Sequence, residues 1–92
     1  MATPEGKVKA HLKKRIKTLG GEVRFAKWIG RNSCPDCRVM LPPQPCWVET
    51  KAGKDGSLSP GQEREIERMR RLGERVLVLT TIEEIDREFP AQ

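Results

Sequence analysis

The sequence predicts an α/β domain with a central mixed sheet flanked by helices, in the order helix, three strands, helix, strand and a short final helix. Three observations predict it. Val8, Leu12, Ile16 and Leu19 recur at helical spacing and mark an amphipathic helix over residues 5–19. Residues 37–41 and 46–51 have the length and residue types of strands, and Pro42-Pro43-Gln44-Pro45 between them reads as the turn of a hairpin. A helix opening at Ser59-Pro60 and ending at Gly73 then separates this hairpin from the apolar run Val76–Leu79. The last pairing is therefore expected to be parallel, through a right-handed crossover. At 92 residues the chain makes one domain, residues 1–92. A chain this short buries only about 60–65% of its unfolded surface, so a bound metal or a second subunit has a physical motive.

Each element carries its own signals. Gly20-Gly21 ends the first helix, and residues 22–28 alternate in the strand period, with Val23, Phe25 and Ile29 expected to face the core. Trp28 reads either as packing at a strand end or as a platform for a splayed base. Gly30-Arg31-Asn32-Ser33 forms a loop that delivers Pro35-Asp36. Ser59 suits an N-cap, Pro60 the first helical position and Gln62 the third position of a capping box. Gly73 fits a C-cap, the run 76–79 suits a strand covered on both faces, and Thr81 with Glu84 makes a second capping box before Ile82, Ile85 and Phe89. There is no internal repeat, no low-complexity linker, no apolar leader and no run long enough to span a bilayer.

The chemistry is concentrated between Ser33 and Lys51. Side chains alternate along a strand, so Trp47, Glu49 and Lys51 share one face while Val48 and Thr50 share the other. Asp36, at the start of the preceding strand, can come beside Glu49. Two ionised carboxylates about 4 Å apart repel by roughly 4 kcal/mol at an effective dielectric of 20, so positive charge is required there. Lys51 supplies one unit and a divalent cation the remainder. Oxygen ligands with open water positions suit Mg²⁺ or Mn²⁺ better than Zn²⁺.

Pro35-Asp36 followed by Glu49-x-Lys51 resembles the PD-(D/E)xK signature of the restriction-endonuclease-like nucleases. The ordered set Glu5, Pro35-Asp36, Glu49-x-Lys51 and Ser59-Pro60-x-Gln62 is similar to the small stand-alone VRR-NUC (virus-type replication-repair nuclease) domains, over residues 5–89. The resemblance implies a restriction-endonuclease-like fold and a Mg²⁺- or Mn²⁺-dependent DNA endonuclease. It implies Asp36, Glu49, the backbone carbonyl of Thr50 and Glu5 as metal ligands. Lys51 would orient the attacking water or stabilise developing charge, and Gln62 would line the site. It further implies hydrolysis leaving a 3′-hydroxyl and a 5′-phosphate, homodimers acting on four-way junctions, and a phage or prophage origin in a bacterial cytoplasm. Two positions depart from the family pattern. Ser33 stands where a glycine is usual, and Cys37 where an arginine commonly follows the aspartate, with Arg38 one place later.

Several residues keep two readings. Glu5 favours the helix dipole at its start as well as matching the family's helical glutamate, and Gln62 serves a capping box as well as the site. The formal charge of +5 and pI near 9.5 favour a polyanionic partner. Lys7, Lys13, Lys14 and Lys17 on the first helix, with Arg24, Lys27, Arg31, Arg38 and Lys54, are the candidate DNA contacts. A charge run on a helix is often only a solvated face, but here nearly every charge is positive. His11 reads as a surface or phosphate-contacting residue. Two other functions remain open: a non-catalytic basic DNA-binding module whose acids balance Lys51, and a small zinc or redox protein built on Cys34-Pro35-Asp36-Cys37 with Cys46. Against the last, no second closely spaced metal pair exists, the segment after Cys37 reads as strand, and an odd cysteine count suits a reducing cytosol.

Overall fold

A computed structural model describes residues 3–53 and 56–91. Lys54, one of the candidate DNA contacts, lies outside the described residues. The elements are α1 (Pro4–Thr18), β1 (Glu22–Phe25), β2 (Cys37–Met40), β3 (Cys46–Thr50), α2 (Pro60–Arg71), β4 (Val76–Leu79) and α3 (Ile82–Glu88). They form one four-stranded sheet in the order β1-β2-β3-β4. β1, β2 and β3 pair antiparallel, and β4 joins β3 in parallel, with Glu49 opposite Val78. This is the mixed sheet and the αβββαβα order expected from the hydrophobic pattern.

The helix starts follow from the caps. Thr3 accepts a hydrogen bond from the Gly6 amide at the head of α1, and Pro4 takes the first helical position, where no donor is needed. α1 buries Val8, Leu12 and Ile16, one residue per turn, against the sheet. It ends at Gly20 with φ of 89°, and the chain then presses so closely on β2 that a Cβ at Gly21 would sit 2.6 Å from the Met40 carbonyl oxygen. Only glycine fits that approach. Ser59 and Gln62 form the expected capping box on α2, each side chain accepting from the other's backbone amide. At α3 the expected box is only half made: Thr81 accepts from the Glu84 amide, while Glu84 Oε1 accepts from the amide and hydroxyl of Thr80.

The core has two layers. On one face α1 and α3 cover Cys37, Val39, Cys46, Val48 and Leu79, with Ile85 and Phe89 closing the end. On the other, Ile66 and Met69 of α2 pack with Val76, Trp28 and Trp47. α1 is tied to α3 by Asp86, which accepts from His11 at 2.7 Å and from Arg15 Nε at 3.0 Å. His11 therefore serves a helix junction rather than a free surface. Two apolar residues expected to face the core lie outside: Phe25 is 54% exposed and Ile29 fully exposed. β1 is the edge strand and stops at Phe25, where the Ala26 amide turns to the Asp36 carbonyl, so the residues beyond Val23 pass outside the cover of α1. Among the described residues no helix is long and apolar enough to cross a membrane.

Candidate active site

β2, β3 and the loop before them bring the acids of the Ser33–Lys51 stretch together. Pro35 is fully buried, and the Asp36 carbonyl accepts from Ala26, so the chain entering β2 is held on both sides. Asp36 Oδ2 accepts from the Thr50 amide at 2.8 Å and the Thr50 hydroxyl at 2.7 Å. Those bonds orient the carboxylate, and Thr50 acts through its side chain as well as its backbone. Asp36 Oδ1 faces the ammonium of Lys9 at 3.8 Å. Lys9 lies one helical turn beyond Glu5, and the i, i+4 spacing of an acid and a base on α1 is the sequence signal for that placement.

Glu49 is 2% exposed, and its Oε2 is the buried side-chain oxygen without a hydrogen-bond partner among the described residues. Burial, followed by the neighbouring Asp36 carboxylate, pushes its carboxyl up to about 8; Lys51 pulls the other way and Glu5 adds to the rise. A buried acid with an idle oxygen beside a second acid is costly in isolation. Lys51 is half-buried at the end of the β3–β4 ladder, its amide donating to Leu79. Glu5 is half-buried on α1 and near enough for its charge to reach Glu49. Gln62 is half-buried at the start of α2, its amide oxygen taken by the cap on Ser59.

The donor set fits a hard divalent ion. Among the described residues no three His, Cys, Asp or Glu side chains are close enough to hold one ion together. Two carboxylates are nevertheless what Mg²⁺ ordinarily takes from a protein, the remaining positions going to water and phosphate oxygens. The Glu49 oxygen that makes no hydrogen bond among the described residues is a donor of that hard type. The cysteines suit a softer ion poorly. Burial raises the thiols of Cys34 and Cys46, and pushes that of Cys37 up to about 12, where it lies under the sheet and donates weakly to the Val48 carbonyl. These are the properties of packed thiols rather than thiolate ligands.

The loop before Asp36 is strained at Ser33, where the resemblance leads one to expect a glycine. Ser33 has φ of 70°, the left-handed region in which a side chain costs roughly 1 kcal/mol or more. Ser33→Gly is expected to leave the site intact and to stabilise the protein by up to about 1 kcal/mol, read as a shift in the urea midpoint at unchanged m-value. A loss of stability would show that the Ser33 side chain does more than the strain undoes.

The candidate DNA contacts divide into two groups. Lys7, Lys13, Lys14, Lys17 and Lys27 are exposed and make no ion pair among the described residues. The arginines carry partners: Arg24 pairs with Glu22, Arg31 with Glu65, and Arg38 with Glu74 while lying over the Trp47 ring. Trp28 packs rather than awaiting a base, its ring tilted against Trp47 at 5.3 Å between centroids and its Nε1 donating to Glu65 at 2.9 Å. Glu65, buried on α2 and unremarked in the sequence, is the residue that gathers this side of the site; a lone glutamate amid Glu63 and Glu67 offers no signal of burial.

The site is thus an acid pair at the end of a hairpin, with a lysine beside it, on a mixed sheet carrying helices on both faces. No protein-family profile matches the sequence, and no curated protein matches it. Among solved structures, one described as a VRR_NUC domain superimposes with a TM-score of 0.88 at 38% identity, covering 94% of each chain. The chain belongs to the VRR-NUC family.

Proposed function

We propose that this domain is a Mg²⁺- or Mn²⁺-dependent DNA endonuclease that cuts branched substrates such as four-way junctions. The observation that carries the reading is the buried, unpartnered Glu49 oxygen beside an Asp36 carboxylate held in place by Thr50. Asp36 and Glu49, with the Thr50 carbonyl, would hold the ion directly, and Glu5, not close enough to complete a cluster with them, would add its charge. When bound, it would lower the pKa of a coordinated water and offset charge on the phosphate. The chain's own groups do the positioning. Thr50 fixes the angle of Asp36, and Lys51, half-buried beside Glu49, orients the attacking water or meets the charge that develops on the phosphate. Lys9 balances Asp36 at the edge of the site. Gln62 would offer its remaining amide hydrogens to the water or a phosphate oxygen, its oxygen staying with the cap.

The lysines of α1 follow the backbone, which makes affinity fall with salt. A homodimer suits paired cuts on a two-fold substrate. It would be phage- or prophage-encoded and work in a bacterial cytoplasm.

A labelled four-way junction and a matched linear duplex, each with Mg²⁺, Mn²⁺ or EDTA, test the reading. Junction cuts that require the divalent ion are expected, with the duplex cut at least tenfold more slowly. Equal cutting of both discards the preference for branches. Binding without cleavage under every condition leaves a non-catalytic DNA-binding module.

A further inference from the structure

We propose that Arg31, Arg64 and Arg68 form a second phosphate-binding site beside the acid pair, taking an internal phosphodiester of the DNA strand. This rests on the nuclease reading and adds the place where the backbone is gripped. The three arginines line an open cavity of about 270 Å³ between the 31–33 loop and the first turns of α2. Beneath them lies the buried carboxylate of Glu65. One of its oxygens, Oε1, accepts from Arg31 at 2.6 Å and from Arg68 at 2.9 Å, while Oε2 takes the Trp28 ring N–H.

That arrangement is more than a surface ion pair. A single carboxylate oxygen holds two guanidinium groups from different elements, and Arg64 beside them makes no ion pair among the described residues. Three positive charges over one negative leave the cavity at about +2, and Arg31 and Arg68 keep roughly half of their side chains exposed. Their forks are fixed from below and open above, a geometry suited to a tetrahedral anion. The first turn of α2 adds its positive end: a Cβ at Gly61 would come within 3.1 Å of the Ser33 hydroxyl, so loop and helix meet at the cavity floor.

The position relative to the acid pair gives the cavity its use. The loop that supplies Arg31 and Ser33 supplies Asp36 three residues later. The Cys34 thiol between them feels the charges of Glu49, Asp36 and Glu65 alike. A strand whose scissile phosphate faces Asp36 and Glu49 therefore has a neighbouring phosphate within reach of the arginines. The lysines of α1 would then meet the backbone from the far face of the sheet.

The test is anisotropy of a fluorescent four-way junction with unphosphorylated ends, in Ca²⁺ and over a series of salt concentrations. The proteins are wild type, Arg64→Ala, Arg64→Ala/Arg68→Ala and the α3 control Arg87→Ala. Arg64→Ala breaks no ion pair and is expected to bind about threefold more weakly. The double variant is expected to bind at least tenfold more weakly, with the salt slope reduced by about 1, while Arg87→Ala follows wild type. Affinity and slope of both arginine variants equal to wild type would overturn this site and leave the nuclease intact. A deficit that appears only after the junction ends are 5′-phosphorylated would also overturn it, since the cavity would then hold end phosphates. A wild type that binds no DNA would overturn the site and the nuclease reading together.

Discussion

Glu49→Gln is expected to abolish cleavage, by at least on the order of 10³-fold, and at the same time to make the metal-free protein more stable at pH 8. The stability gain follows from the burial of Glu49 beside Asp36. A carboxyl raised from 4.5 to about 8 binds its proton more tightly in the folded chain than in the unfolded one. Between those two pH values the folded state therefore holds more protons, and stability falls as pH rises, on the order of 5 kcal/mol in all. Below pH 4.5 the penalty is absent, and above about 8 it is complete. Glutamine keeps the shape without the charge, so its melting profile should be flat where that of wild type declines. At pH 5 the two proteins should melt within a few degrees of each other, and at pH 8.5 the variant should lead by 10 °C or more, since about 1 kcal/mol moves a domain of this size by roughly 4–8 °C. The window avoids Glu84 and Asp86, whose carboxyls are held low by hydrogen bonds from Thr80 and from His11 with Arg15. Their contributions are lost only as pH falls through the acid range. It also avoids the thiols, which diverge from the unfolded chain above pH 9. Parallel decline of wild type and variant would mean that Glu49 is not the strained acid.

Asp36→Asn and Asp36→Ala are expected to be equally dead and unequally stable. Both remove the charge on which the site depends, and cleavage should fall by on the order of 10³-fold or more. The asparagine amide oxygen can still accept from the Thr50 amide and hydroxyl, so its fold should hold to within about 1 kcal/mol of wild type. Alanine leaves two donors of a fully buried residue without an acceptor. Each is worth roughly 1–3 kcal/mol when stranded, so a loss of about 2–6 kcal/mol is expected in urea. Melting with Mn²⁺ separates the roles: wild type should gain stability with added ion and Asp36→Asn should not. Cleavage by Asp36→Asn within tenfold of wild type would remove Asp36 from the reaction.

Much of the fold could be read along the chain because its signals are local. The spacing of Val8, Leu12 and Ile16, the prolines between β2 and β3, the Ser59 cap and the apolar run of β4 each involve residues within one element, where period and turn chemistry are decided by neighbours. The acid pair was legible for the same reason: Asp36 leads directly into β2 and Glu49 lies on the strand paired with it. The exposure of Phe25 and Ile29 was not, because alternation says which side of an element a residue takes but not whether anything lies over that side.

The sequence by itself determined the class of fold, the hairpin and the presence of two acids with a lysine, all consequences of periodicity and short-range spacing. Only the tertiary structure decided how those groups are wired. Thr50 orients Asp36 across 14 residues, Lys9 reaches it from α1, and Glu65 gathers Trp28 and Arg31 from more than 30 residues away. The physical reason is that hydrogen-bond geometry and desolvation act through space. Burial raises the Glu49 carboxyl and leaves its oxygen idle, and burial is a property of everything packed around a residue rather than of its neighbours in the chain.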